Sequence, residues 1–422
     1  MKRHTAEQND SREATTSMAD RLQLTLRKRD ELFERIGVWH QLIVVGNGFD
    51  LECELKSRFI DFFAPKFACI DKLTDFRQAA WCAQVDEADL NVWDFILYKD
   101  RDTSWCDVEG VIKDWVFPPR LGHVTSARVY GAWRRTRKCP FVEGGRAMDT
   151  NGRLMGEREA VDFTRSNVAR FAWYKFGAEG ARALGEEGLL RFLANELTRL
   201  EQRFDAYMCH EVLGNSAYLE RSAELFRAIC NDGLPGEDGW NVQTSVLSFN
   251  YSDPFTSAFI GVPTEDVVNI HGRLGGGIIF GIDGKDCMDD PTALPFTKTY
   301  RVAVANTRIH HELFYVHTDQ TFGSSTEVIK FYGHSLGEAD YSYFQSIFDG
   351  VNLYGGGTKL VFYYRPWHEG DSEVSEGEAR TKTVKRVAQL LNTYGRTMDN
   401  HEHGKNLMHK LLLEGRLVVK HV

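Results

Sequence analysis

LIVVGNGFD, residues 42–50, is the stretch of sequence from which the fold class follows. Its four leading apolar residues predict a buried β-strand, because a strand covered on both faces of a parallel sheet shows no polar alternation. Gly46 and Gly48 then predict a tight turn whose backbone N–H groups are not obstructed by side chains. A helix that begins after such a turn directs its first N–H groups at the turn, which suits the diphosphate of a nucleotide. The stretch predicts an α/β domain that binds a nucleotide.

Two other interpretations of this turn stay open. Residue 51 is leucine, so the full G-x-G-x-x-G pattern is absent, and Gly46 and Gly48 also fit a purely structural turn. Asp50 fits either a hydrogen bond to a ribose hydroxyl or a cap on the following helix, for which residues 56–67 carry a suitable apolar pattern.

Five later apolar runs predict further strands, and each ends at a glycine, a polar or a charged residue. These runs are residues 245–249, 266–270, 277–280, 327–332 and 359–364, and they end at Asn250, His271, Gly281, Gly333 and Arg365. In an open parallel sheet, ligands bind beyond the carboxyl ends of the strands, so these residues are expected to gather along one rim. The sequence predicts a doubly wound, mostly parallel sheet of Rossmann type.

The predicted sheet is interrupted by a large helical insertion. Residues 1–36 predict a polar tail and a helix, residues 37–65 and 241–422 the α/β core, and residues 66–240 a mostly helical insertion. Within the insertion, apolar residues spaced by three and four from Leu189 to Tyr207 predict one long amphipathic helix. An irregular loop at residues 120–158 holds nine Lys and Arg against three Asp and Glu, which fits a solvated insertion or a nucleic-acid contact.

Charge and composition argue against three classes of function: general nucleic-acid binding, membrane association and metal binding. A net charge of −9 argues against general affinity for nucleic acid, leaving the loop at residues 120–158 as the place for any such contact. No signal-peptide h-region and no apolar run of membrane-spanning length are present, and the expected location is the cytoplasm, with no membrane partner. None of the eight cysteines forms a C-x-x-C pair, so no structural zinc or other metal is expected.

Asn250 and His271 are the side chains best suited to chemistry at the predicted rim. The amide of Asn250 could position a water molecule or a ribose hydroxyl, although an Asx-turn is the common role of such an asparagine. A neutral imidazole at His271 could act as a general base or bind a ribose hydroxyl, and a structural histidine is the alternative.

Taken in order, these segments resemble the AbiH family of bacteriophage abortive-infection proteins. The resemblance implies a role in phage defence, with a trigger that the sequence does not reveal and with homo-oligomer formation left open. The matching segments are VGNGFDL (45–51), KSRFIDF (56–62), WCDVE (105–109), FNYSD (249–253), NIHG (269–272), IFGID (279–283) and YGHSLGEAD (332–340).

The same segments show a distant similarity to sirtuin-like NAD-binding domains. That similarity implies NAD as ligand or substrate and Asn250 and His271 as catalytic residues. Sirtuin deacylases carry a four-cysteine zinc module that this chain lacks, so protein deacylation is not expected, and phage-defence precedents favour hydrolysis of the nicotinamide–ribose bond. The residues expected to contact the cofactor are Gly46, Asn47, Gly48, Phe49, Asp253, Gly281, Gly333 and Ser335.

For that hydrolysis, Asp50 is the third predicted catalytic residue. Cleavage passes through an oxocarbenium-like state, and a nearby carboxylate would offset its positive charge. Asp107 and Glu109 are further candidates for the same role. The expected activity is that of an NAD glycohydrolase, with Asn250 holding the water and His271 the ribose hydroxyls.

Three other functions stay open. GHSLG at residues 333–337 fits the G-x-S-x-G elbow of a serine hydrolase, with Ser335 as nucleophile and Asp371 or Asp399 with His401 or His403 as partners. A non-catalytic nucleotide-binding sensor in phage defence is the second. A metal-dependent hydrolase is the weakest, because His311-Glu312 lacks the second histidine of HExxH and the histidines at 401, 403 and 409 are predicted to lie in a polar tail.

Overall fold

A computed structural model of the chain describes residues 37–67, 90–97, 108–116, 127–138, 157–234, 240–256, 261–262, 264, 266–285, 289–305, 326–366, 368–369 and 372–422. Structural statements below concern these residues. The predicted tail and helix at residues 1–36 lie outside them, as does most of the basic loop at residues 120–158.

Six parallel strands form the central sheet. Numbered along the chain within this sheet, they are β1 (Gly37–Val45), β2 (Trp240–Ser248), β3 (Asp266–Asn269), β4 (Thr326–Tyr332), β5 (Lys359–Tyr364) and β6 (Leu417–His421). Their order across the sheet is β3-β2-β1-β4-β5-β6, and every neighbouring pair is parallel. This is the strand order of the Rossmann-type fold, so the predicted fold class is confirmed.

Strand β1 lies at the centre of the sheet and is buried on both faces. Leu42 and Val44 belong to one hydrophobic cluster, whereas Ile43 and Val45 belong to the other. All four side chains are fully buried, and each such burial stabilises the fold by roughly 1.5–3 kcal/mol. The continuous apolar run in the sequence therefore reflects helices on both sides of the sheet, as doubly wound folds require.

Helices cover the two faces unequally. The described helices are α1 (Gly48–Glu52), α2 (Phe59–Phe67), α3 (Val92–Leu97), α4 (Val108–Val116), α5 (Ala127–Lys138), α6 (Glu157–Ala183), α7 (Gly185–Val212), α8 (Ser216–Asn231), α9 (Lys298–Val304), α10 (Tyr341–Gly350), α11 (Glu376–Thr397) and α12 (His401–Leu413). Helices α3 to α8 form the insertion between β1 and β2 and share the cluster of Ile43 and Val45. Helices α10 to α12 share the cluster of Leu42 and Val44.

The long amphipathic helix of the insertion forms as predicted. Helix α7 runs from Gly185 to Val212, and its apolar stripe is buried from Leu189 to Phe204. Arg301 makes a two-pronged contact with Glu201 on this helix, and the carboxylate of Glu201 also accepts from the backbone N–H of Phe280 at 2.7 Å. The insertion is thereby fixed to the core close to the carboxyl ends of the strands.

Several local predictions were wrong. Residues 277–280 do not join the sheet: Gly277–Ile278 pairs antiparallel with Gly272–Arg273, and the positive φ angles of Gly272 and Gly277 allow this tight hairpin. The histidines predicted in a polar tail lie on helix α12, which Asn400 caps. Residues 127–138 of the predicted irregular loop form helix α5. Strand β6, short and half-exposed, was not predicted at all.

Among the described residues, no helix is both long enough and apolar enough to cross a membrane.

Candidate functional site

A cleft of about 1490 Å³ opens beyond the carboxyl ends of β1 and β4. These two strands are neighbours, and the chain order of the sheet reverses between them, which is where doubly wound folds bind their ligands. We call this space the strand-end cleft. Eight of the eleven predicted site residues line it: Gly46, Asn47, Gly48, Asp50, Asn250, His271, Gly333 and Ser335.

The glycine turn after β1 packs directly on the turn after β4. Gly48 N–H donates to the carbonyl of Gly333 at 2.8 Å, and Phe49 N–H donates to the carbonyl of Gly46 at 2.8 Å. A Cβ added to Gly48 would lie 2.6 Å from Cα of Gly333, so the two backbones leave no room for a side chain. The structural interpretation accounts for these glycines, and their contact with a diphosphate stays a prediction.

Two helices follow the turn, where the sequence predicted one at residues 56–67. Helix α1 has only five residues, from Gly48 to Glu52, and the chain then bends before α2 begins at Phe59. The hydroxyl of Ser57 donates to the side chain of Asn47, which ties this bend to the turn. The helix predicted for residues 56–67 begins at Phe59, after this bend.

Asp50 is a buried carboxylate held by two hydroxyl groups. Ser252 donates to both of its oxygens at 2.9 and 2.7 Å, and Tyr218 of helix α8 donates at 2.8 Å. Burial raises the pKa of Asp50 to about 6, although these hydrogen bonds lower it. Asp50 therefore does not cap a helix, and its carboxylate stays mostly ionised at neutral pH.

The side-chain amide of Asn250 is buried next to Asp50. The amide is close enough to Asp50 to lower its pKa, yet within the described residues neither Oδ1 nor Nδ2 makes a hydrogen bond of ordinary geometry. The Asx-turn that was the alternative prediction is absent, because the Asn250 side chain accepts no bond. An unpaired buried polar group costs about 1–3 kcal/mol, so this amide calls for a ligand or a water molecule.

His271 lies beside a cluster of charged residues. Its Nε2 is 3.2 Å from Oδ1 of Asp340, but off the angle of a hydrogen bond. Lys298 Nζ contacts Asp340 at 2.6 Å and Glu109 at 2.7 Å, and Nε2 of His334 is 3.3 Å from the other oxygen of Asp340. We call these five residues (Glu109, His271, Lys298, His334 and Asp340) the Asp340 cluster.

The charges of the Asp340 cluster control its protonation. Burial opposes the ammonium of Lys298, but the two carboxylates outweigh it and raise the pKa of that lysine. Burial likewise opposes the carboxylate of Asp340, and Lys298 with the two histidines still holds its pKa well below the usual range. Burial, with Lys298, lowers the pKa of His271 to about 4. His271 is therefore neutral at physiological pH, as a general base must be.

Aromatic side chains hold the two histidines in place. Phe249, which follows β2, packs edge-on against His271 at 5.4 Å and against His334 at 4.4 Å between ring centroids. Tyr343 of helix α10 also packs against His271, and Phe344 of the same helix packs against His334. The two histidines therefore pack among aromatic rings, and such surroundings of low dielectric constant strengthen the charge interactions near them.

Three predicted residues do not line the cleft. Phe49 is buried in the core against Phe255 and Tyr332. Asp253 contacts Arg273 at 3.0 Å. Gly281 packs against the start of helix α9, where an added Cβ would lie 2.9 Å from the carbonyl oxygen of Phe296. Each of these residues has a structural role, and their contact with a cofactor stays a prediction.

Sequence reasoning missed most of the Asp340 cluster. Glu109 was a candidate and does reach the site, whereas Asp107 lies outside the described residues. His334 and Asp340 stand in the segment YGHSLGEAD, from which only Gly333 and Ser335 were selected. Lys298 has no motif around it, because its role depends on carboxylates 189 and 42 positions away that only the fold brings close.

The described residues give little support to the rival functions. Ser335 is exposed and is followed by an irregular segment, with a positive φ at Leu336, and then a 3₁₀ turn. Helix α10 therefore begins only at Tyr341, unlike the immediate helix of a nucleophile elbow. His403 stacks on Tyr354, and neither it nor Asp399 lines the cleft. Asp371 and His311 lie outside the described residues, and within them no group of histidine, cysteine and carboxylate side chains could hold a metal ion.

Comparison with known proteins gives one match. The model of the family described as bacteriophage abortive infection AbiH matches residues 42–364, which is more than half of the chain and includes every residue of the Asp340 cluster. No curated protein and no solved structure matches the chain.

Proposed function

This chain belongs to the AbiH family of bacteriophage abortive infection proteins, and from that premise we propose that it binds NAD and hydrolyses the nicotinamide–ribose bond. The proposal rests above all on the buried amide of Asn250, which makes no hydrogen bond of ordinary geometry to the described residues and lies at the cleft with Asp50 and the Asp340 cluster. A ribose hydroxyl and the attacking water could satisfy both atoms of this amide. Usual small-molecule pockets measure roughly 300–1,000 Å³, so a cleft of about 1490 Å³ has room for a dinucleotide.

The charges around the cleft suit this reaction. The C1′–N bond breaks, nicotinamide leaves with the electron pair as a neutral molecule, and water adds to C1′ and gives up a proton. Positive charge develops on the ribose, and buried carboxylates nearby stabilise it. Asp50 is one such group, and the Asp340 cluster carries two carboxylates against one ammonium, an excess of one negative charge. Neutral His271 can accept the proton.

The direct test follows the release of nicotinamide from NAD by the purified protein. We expect wild-type protein to release it and Asn250→Ala to lose at least 100-fold in kcat, because the water and ribose lose their anchor. Asn406→Ala, an asparagine near the surface of helix α12, is the matched control and should retain wild-type turnover. Release by Asn250→Ala at the wild-type rate would contradict the assignment of this residue.

Because phage-defence proteins respond to infection, the same comparison belongs in infected cells. NAD concentration should fall after infection in cells that carry wild-type protein and hold steady in cells that carry His271→Ala. The His271→Ala protein must be present in equal amount and folded. Constant NAD with wild-type protein, in cells that it nevertheless defends against the phage, would refute NAD hydrolysis.

A second function is a sensor that binds nucleotide without turnover. The observation in its favour is that the helical insertion contributes directly to the cleft, since Tyr218 of α8 holds Asp50 and Glu109 of α4 holds Lys298. Occupancy of the cleft could therefore be transmitted to the insertion. Calorimetry separates the two functions: NAD that binds and is recovered intact in the presence of infected-cell extract indicates the sensor.

A further inference from the structure

The carboxylate of Asp340 contacts three nitrogen atoms from three separate parts of the chain. Lys298 Nζ lies 2.6 Å from Oδ1, His271 Nε2 lies 3.2 Å from Oδ1, and His334 Nε2 lies 3.3 Å from Oδ2. Asp340 occupies the N-cap position of helix α10, yet its side chain makes no capping hydrogen bond. An aspartate at the N-cap usually stabilises its helix by about 1 kcal/mol. The carboxylate of Asp340 does not make this capping bond and contacts the nitrogen atoms of the cluster instead.

The protons on both histidines follow from these contacts. An ionised carboxylate can only accept hydrogen bonds, and a neutral imidazole carries one N–H. In His334 the assignment is independent of Asp340, because Nδ1 accepts from the backbone N–H of Leu336 at 2.9 Å and the proton must be on Nε2. In His271 only an Nε2 proton makes the contact with Asp340 attractive.

We propose that Asp340 is a positioning residue that fixes His271 in the tautomer with its proton on Nε2, so that the lone pair of Nδ1 is the base of the hydrolysis. The imidazole of His271 lines the strand-end cleft, and Asp340 faces its Nε2, which leaves Nδ1 as the nitrogen available to a substrate. This inference rests on the proposed function, and it names the atom that takes the proton from the attacking water or from a ribose hydroxyl.

Lys298 keeps the carboxylate of Asp340 ionised, so that it can attract the Nε2 proton of His271. A carboxylate between two imidazoles could itself take up a proton, and the ammonium of Lys298 prevents this by holding the pKa of Asp340 low. The same ammonium, with burial, keeps His271 neutral, while Asp340 acts in the opposite direction. The groups that face His271 are thus Lys298 from α9, Asp340 and Tyr343 from the α10 region, and His334 from the turn after β4.

The first test reads the tautomer and needs no catalysis. Long-range ¹H–¹⁵N correlation spectra of full-length protein with ¹⁵N-labelled histidine distinguish Nε2–H from Nδ1–H, and single His→Gln variants assign the signals. We expect Nε2–H for both His271 and His334 in the wild type. We expect Asp340→Asn to abolish the single tautomer of His271, because an amide can donate as well as accept. His334 should keep its tautomer, since Leu336 sets it.

The second test is kinetic. Asp340→Asn should lower kcat for NAD at least 100-fold while KM changes less than threefold, because Asp340 contacts the base and not the substrate. Asp349→Asn, the same substitution at an exposed position of helix α10 outside the cleft, should keep wild-type kcat. If Asp340→Asn does not fold, Asp340→Glu keeps the charge beside Lys298 but displaces it, and should show the same loss of kcat in a folded protein.

The outcomes separate the two proposals. A wild type that does not hydrolyse NAD but shows Nε2–H at His271, lost in the Asp340 variant, refutes the proposed function and retains Asp340 as the tautomer-setting residue. Nδ1–H at wild-type His271, or a folded Asp340→Asn protein with unchanged tautomer and unchanged kcat, overturns the inference. A parallel rise in KM would identify Asp340 as a binding residue and would also overturn it.

Discussion

Among the described residues, two lysines are almost completely removed from solvent, and their surroundings differ. Lys298, at the start of α9, and Lys330, in the middle of β4, are each 1% exposed. Lys298 contacts the carboxylates of Asp340 and Glu109. Within the part of the chain that the structure describes, Lys330 donates to three neutral oxygens: the side chain of Gln41 at 2.7 Å and the carbonyls of Ile229 and Cys230 at 2.9 Å each.

The two surroundings shift the pKa in opposite directions. Burial lowers the pKa of both lysines, but the carboxylates at Lys298 reverse that effect and raise it. At Lys330, burial dominates and lowers the pKa to about 8. The carbonyls that it binds are the last ones of helix α8, so its partners are orphan groups of a helix end.

This difference separates a structural lysine from one that belongs to a site. Lys330 satisfies a helix end inside the sheet, and Gln41 extends its network to Thr244 on the next strand without reaching the strand-end cleft. Lys298 fixes charges around two histidines at the cleft. Burial alone therefore does not identify a functional lysine. A lysine belongs to a functional site when it neutralises carboxylates that themselves contact other residues of that site.

The largest effect is expected for Lys298→Met. This change leaves two buried carboxylates without their counter-ion, and breaking a buried ion pair in this way typically costs 3–5 kcal/mol. The unfolding free energy from urea titration should fall by about that amount, and any NAD turnover should be lost with it. Lys405→Met is the matched control, since Lys405 is exposed and forms a surface ion pair with Glu402. The unfolding free energy of this variant should stay within about 1 kcal/mol of wild type.

A smaller loss is expected for Lys330→Met. The apolar stem still fills its space, and the substitution leaves only neutral acceptors unpaired, at about 1–3 kcal/mol for the network. Urea titration of the two lysine variants side by side makes the comparison. An equal loss of unfolding free energy in the two variants would mean that the carboxylates contribute nothing to the cost of removing Lys298. It would contradict the distinction between the two lysines.

The sequence predicts the rim of the sheet better than it predicts the ionic contacts of the buried lysines. The rim was predictable because Gly46, Asn250, His271 and Gly333 each end an apolar run, and the carboxyl ends of parallel strands must meet. The ionic contacts at the rim were not predictable. The sequence around a lysine that begins a short helix is the same whether or not a carboxylate from another segment contacts that lysine. The hairpin at Gly272 and strand β6 were missed for a similar reason: tertiary contacts decide whether a short run joins the sheet.

The effect that separates the two lysines most directly is the dependence of stability on pH. The pKa of Lys330 is about 8 in the folded protein and 10.5 in the unfolded chain. Between these values the unfolded state binds more protons, so this lysine makes stability rise with pH, by at most about 1.4 kcal/mol per pH unit. Lys298 has a raised pKa, so its contribution is fully present below pH 10.5 and is lost only at higher pH.

The unfolding free energies of wild type, Lys330→Met and Lys298→Met, measured at pH 8, 9 and 10, test this contrast. Subtracting each variant from wild type removes the titration of tyrosines and cysteines common to all three proteins. The difference between wild type and Lys330→Met should grow steadily with pH, whereas that for Lys298→Met should stay flat over this range. A flat difference for both would mean that Lys330 remains fully charged inside the sheet, held by carbonyl groups as firmly as Lys298 is held by carboxylates.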